Sequence, residues 1–108
     1  MAVRAPLNHA FSRVQAAEAR SSLASEIAAE KAAALGRAGR AIEKALARLE
    51  ENDDPRHREA LLLEAAEAVQ AYFMQRELNG LRDQREIIRE YAIPRPVLNR
   101  IGIVRRTR

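Results

Sequence analysis

Five arginines, Arg37, Arg76, Arg82, Arg95 and Arg100, are the side chains of this sequence best suited to chemistry, and what they offer is recognition of an anion or of an acidic partner. The other reactive residue types do not assemble into a catalytic set. Glu26 and Glu30 share one helical face and Glu64 and Glu67 another, but a carboxylate-bridged metal centre calls for Glu-x-x-His twice, and that pattern does not occur. His57 stands three residues after Asp54, where capping of a helix accounts for the aspartate. Ser12, Ser21, Ser22 and Ser25 cluster in the first third without a Gly-x-Ser-x-Gly turn. His9 and His57 read as surface residues rather than general bases. No cysteine occurs, which excludes thiolate metal ligands, a cysteine nucleophile and disulfides, and fits a reducing compartment. The run Leu35-Gly36-Arg37-Ala38-Gly39-Arg40 has glycines but no preceding strand, no lysine and no hydroxyl for a phosphate loop. The expectation is a protein that is not an enzyme and that holds no cofactor or metal.

The elements that must carry these arginines are all helical. Between Ser22 and Glu51 there is no proline, and strong helix formers fill most positions. Leu23, Ile27, Leu35, Ile42, Leu46 and Leu49 fall within one arc of a helix. Leu7, Phe11 and Val14 fall on a different side, so residues 1–21 read as a separate arm with a break near Ser21 and Ser22. Leu35, Ala38, Ile42, Ala45 and Leu49 alternate in steps of three and four, a helix-pairing seam. Gly36 and Gly39 lie beside it. Each glycine costs a helix about 1 kcal/mol relative to alanine, and close helix approach is the simplest compensation.

Asn52-Asp53-Asp54-Pro55 ends the first helix, with Asp54 as the next cap and Pro55 in the first position. A second helix then runs from about Pro55 to Asn79, with Gly80 as its left-handed stop, so that residues 22–79 form an antiparallel hairpin. Leu61, Leu62, Ala65, Val69, Tyr72 and Phe73 make one apolar stripe, and Leu63, Met74 and Leu78 lie on roughly the opposite side. Asp83 followed by Glu86 opens a short helix through Tyr91; Pro94 and Pro96 stop it, and Val97, Leu98 and Ile101 form a last turn ended by Gly102. Residues 80–108 are thus a compact C-terminal helical unit, with Arg105 to Arg108 a disordered end.

Composition bears on assembly. Of 108 residues 47% are hydrophobic, yet 22 are alanine, which leaves a thin core and a reason to pair with a second subunit. Apolar surface on two sides of the second helix gives the same indication. The expected architecture is therefore all-α: one domain, with two hairpins associating as a homodimeric four-helix bundle. No apolar run approaches the roughly 18 residues of a membrane span, and the N-terminus lacks a secretory leader, so a cytoplasmic protein is expected. The net charge of +4 is uneven: residues 1–79 carry 11 basic and 12 acidic side chains, and residues 80–108 carry 8 arginines and 3 acids. That basic end supports an alternative, nucleic-acid binding, in which Gln84 to Ile101 forms a helix-turn-helix presenting Arg95 and Arg100. Against it, Pro96 lies within the would-be reading helix.

The stretches Tyr72-Phe73-Met74-Gln75-Arg76-Glu77, Gly80-Leu81-Arg82-Asp83, Tyr91-Ala92-Ile93-Pro94 and Ile101-Gly102, with Ala28 to Arg40, resemble a family of short, all-helical bacterial proteins classed only as a domain of unknown function. The resemblance covers about residues 22–102 and leaves out the N-terminal arm. It implies a helical fold and supplies no catalytic residue. It also draws attention to the corner from Gln75 to Asp83. There Arg76, Arg82 and Asp83 are expected to tie the turn through charge-assisted bonds, the sharper alternative being an anion or partner site lined by Arg37, Arg76 and Arg82.

Overall fold

A computed structural model describes residues 4–103, with side chains from residue 10. Four helices follow one another: α1 (Arg4–Glu51), α2 (Pro55–Leu78), α3 (Gln84–Glu90) and α4 (Arg95–Leu98), with no strand among the described residues. They fall into two units, Met1–Ala33 and Ala34–Arg108. Among the described residues no helix is long and apolar enough to cross a membrane.

Among the described residues, the first unit is the first part of α1 and nothing else. No break occurs at Ser21 and Ser22, and the described part of the expected arm is simply the start of α1. The expected break rests on Phe11 and Val14 lying on a different side from Leu23 and Ile27. A shared face is required only where a helix is packed on something. Here Phe11 is 64% exposed, Val14 54%, Leu23 55% and Ile27 47%, and every residue from 10 to 33 is exposed. With no glycine or proline between Leu7 and Leu35, the backbone has no reason to stop; Pro6 sits in the first turn, where its missing N–H leaves no bond unmade.

The second unit holds the core. From α1 come Ile42, Ala45 and Leu49; from α2 Leu62, Ala65, Ala66, Val69, Tyr72 and Phe73; from the C-terminal segment Ile87, Ile93 and Val97. The first stripe of α2 is thus the buried one. On its other side Leu63 is half-buried while Met74 and Leu78 stay exposed. Turn chemistry fixes the connections. Asn52 Nδ2 donates to the Asp54 carbonyl at 2.8 Å, and the Asp54 carboxylate accepts the Arg56 backbone N–H at 2.9 Å, capping α2 with Pro55 in the first turn as expected. The Arg56 guanidinium also bonds that carboxylate and, with the backbone bond, holds Asp54 below the usual carboxylate range.

α2 ends in a Schellman motif: Leu81 N–H donates to the Arg76 carbonyl (2.8 Å) and Gly80 N–H to that of Glu77 (2.9 Å), with Gly80 at φ +79°. α3 ends the same way, Ile93 N–H reaching Ile88 and Ala92 N–H reaching Arg89, but the left-handed position is Ala92 at φ +49°. An L-residue there carries steric strain that glycine lacks, against glycine's larger loss of backbone freedom. Ala92→Gly should therefore raise stability by roughly 0.5–1 kcal/mol, read as a higher denaturant midpoint. A lower midpoint would show that Ala92 contributes packing that the backbone geometry does not reveal.

Candidate functional site

The five arginines sit on separate elements. Arg37 is exposed on α1; Arg76, half-buried on α2, places its guanidinium carbon 6.0 Å from the centroid of the Tyr72 ring, a cation–π contact. Arg82 is exposed in the α2–α3 connection and Arg95 at the start of α4. Arg100 is structural: Nε donates to Glu59 Oε2 at 2.7 Å, Nη2 to Oε1 at 2.8 Å and Nη1 to the Pro96 carbonyl at 2.7 Å. The bidentate pair holds Glu59 below the usual carboxylate range. With the Gly102 N–H donating to Gln70 Oε1 (3.2 Å), it ties residues 100–102 to α2.

Two expectations are corrected here. The corner after α2 is not tied by Arg76, Arg82 and Asp83. It is closed by the backbone bonds at Gly80, while the Asp83 carboxylate accepts the Arg85 N–H at 3.1 Å and caps α3. The C-terminal segment is also no groove-reading helix-turn-helix. α4 has four residues, with Pro96 in its opening turn, and Arg100 is engaged with Glu59. Arg105 to Arg108 lie outside the described residues.

What the fold does assemble is a tyrosine pair on a glycine. Gly39, buried on α1, faces the hydroxyl of Tyr91; a β-carbon at Gly39 would lie 2.6 Å from Tyr91 Oη and 3.3 Å from Tyr72 Cε1. The two rings meet edge to face, centroids 5.6 Å apart. Burial, then a hydrogen bond with Tyr72, pushes the Tyr91 hydroxyl up to about 12. The proton is held more tightly in the folded state. Stability from this group is therefore present below the ordinary tyrosine range near 10 and is lost as pH rises towards 12. The phenolate absorbance of the chain minus that of Tyr91→Phe should show a component titrating near 12. A difference curve centred near 10 would mean that Tyr91 is not shielded.

Two clefts lie beside the hairpin. One, of about 470 Å³, runs between α1 and α2 over Ala41, Ala45, Ala68 and Ala71, with Lys44 and Arg48 along the α1 side and Glu64 and Glu67 along the α2 side. Arg48 and Glu64 pair across it, both partly exposed. A second cleft lies at the turn between Arg48, Asn52, His57 and Glu64. None of the five arginines lines either. No group of His, Asp and Glu side chains able to hold a metal occurs among the described residues. The alanine cleft escaped the sequence reading, although the hairpin register set by the turn at residues 52–54 contains it: Ala41 falls opposite Ala71, as Arg48 does opposite Glu64.

Residues 1–108 match the profile of a family of unknown function, DUF6665. The chain belongs to that family. The family thus takes in the whole chain, including the N-terminal segment that the resemblance of residues 22–102 left out. No curated protein and no solved structure matches it. Membership of the family assigns no activity, so the functional reading rests on the surfaces themselves.

Proposed function

We propose that the protein is a non-enzymatic, cytoplasmic interaction module that works as a homodimer. One observation carries the reading: residues 10–33 of α1 are exposed throughout, yet they include Phe11, Val14, Leu23 and Ile27, four large apolar side chains between 47% and 64% exposed. A helix face gains most of its stability from packing, and exposed single residues are ordinary where a row of large ones is not. Leu23 and Ile27, four residues apart, form one such row. Covering them with a second copy would bring the four long helices of two chains into one bundle.

The polar side chains support the absence of catalysis by what they already do. Asp54 and Asp83 cap helices, and Glu59 and Glu64 pair with arginines. Sedimentation at micromolar concentration should give a dimer mass, and Leu23→Glu with Ile27→Glu should give a monomer with unchanged helix content. A stable monomer of the unaltered chain removes the proposal.

A further inference from the structure

We propose that the alanine cleft between α1 and α2 is the surface that receives Leu23 and Ile27, supplied by a second copy of this chain lying antiparallel to α1. This rests on the homodimer reading above and names the surfaces that meet. The argument is one of shape and charge. The cleft floor is made of Ala41, Ala45, Ala68 and Ala71, too small to fill it, and the row on the first part of α1 consists of two large aliphatic side chains. Large side chains seat against small ones where two helices approach closely.

Charge sets the orientation. At about 100° per residue, the Leu23 and Ile27 row has Glu26 and Glu30 along one edge and Arg20 and Lys31 along the other. Followed in the same rotational sense, the cleft has the basic Lys44 and Arg48 first, then the alanine floor, then the acidic Glu64 and Glu67. Two faces laid together antiparallel bring corresponding edges into contact. Glu26 then meets Lys44, and Arg20 meets Glu64. A parallel arrangement would set acid on acid and base on base. The register that places Arg20 beside Glu64 also places Leu23 over Ala45 and Ala68, and Ile27 over Ala41 and Ala71. Arg48 and Glu64 already pair across the cleft, but at 52% and 36% exposure such a pair exchanges partners at little cost. Each copy has one row and one cleft, so each copy can both give and receive this contact.

The chain has no cysteine, so thiol cross-linking has no background. Ile27→Cys and Ala71→Cys change two exposed positions, and the two full-length variants, mixed and treated with a short thiol cross-linker, should join to each other in high yield. Ile27→Cys alone should join far less. In parallel, Lys44→Glu should raise the dimer Kd roughly tenfold. Mixing that variant with Glu26→Lys chains should recover the affinity. A dimer by sedimentation that gives no Ile27→Cys to Ala71→Cys product, or that joins Ile27→Cys to itself, overturns the cleft assignment and leaves the dimer standing. A monomer overturns both.

Discussion

Ile87→Ala is expected to lower the stability of the second unit by about 2–4 kcal/mol, the range for removing a buried isoleucine's outer carbons without collapse of the site. Ile87 is 1% exposed and is the only fully buried side chain of α3. A helix of seven residues has almost no stability of its own in water, so α3 persists because Ile87 is anchored in the core cluster. Removing that anchor leaves Ile93 and Val97 as the buried side chains that hold the segment from Gln84 onward, helped by half-buried Ile88, Tyr91, Leu98 and Ile101, the Glu59–Arg100 pair and one backbone bond to Gln70. The loss should therefore show first as local opening. Amide exchange in residues 84–98 should accelerate at denaturant concentrations where the α1–α2 hairpin stays protected. Equal acceleration in both would mean that the segment and the hairpin unfold as one cooperative unit. A cost below about 1 kcal/mol would mean that neighbouring side chains close over the gap.

The turn chemistry of this chain is local, and that is why it could be read in advance. Asp54 with Pro55, Gly80 after Asn79, and Asp83 before α3 each act over two to five residues, and each stands where its neighbours predict. The buried stripe of α2 follows from the same spacing rule, because a packed helix must present one face. Leu23 and Ile27 lie in the same arc as Ile42 and Leu49, and spacing alone does not separate them. What separates them is whether anything covers them, a property of tertiary structure. The arginines show the same limit. Their number marks the C-terminal segment as basic, but Arg100 meets Glu59 across 41 positions of sequence, and nothing near either residue announces it.

Gly36 and Gly39 looked equivalent in sequence, and substituting each by alanine should give opposite results. At Gly36 a β-carbon would meet only the end of the Arg40 side chain, at 3.5 Å, so Gly36→Ala should stabilise the helix by about 1 kcal/mol through propensity. At Gly39 the same gain is opposed by contact with Tyr91 Oη at 2.6 Å, a distance that β-carbons do not adopt. Tyr91 cannot yield by turning a flexible tail. Its ring moves as a plate, it is packed edge to face on buried Tyr72, and its backbone is the C-cap of α3. Displacing it costs about 1–3 kcal/mol, so Gly39→Ala should be net destabilising. Tyr91→Phe removes the offending oxygen and leaves the Tyr72 ring at 3.3 Å as the nearest group. In that background Gly39→Ala should become neutral or stabilising, giving a coupling of roughly 1–3 kcal/mol in a double-mutant cycle of denaturant midpoints. Additive effects would show that Gly39 is present for a reason other than the tyrosine hydroxyl. The cycle also separates the glycine's role from helix pairing: the sequence expected close approach of two backbones, whereas the structure places a hydroxyl from the C-terminal segment in the space that a β-carbon would fill.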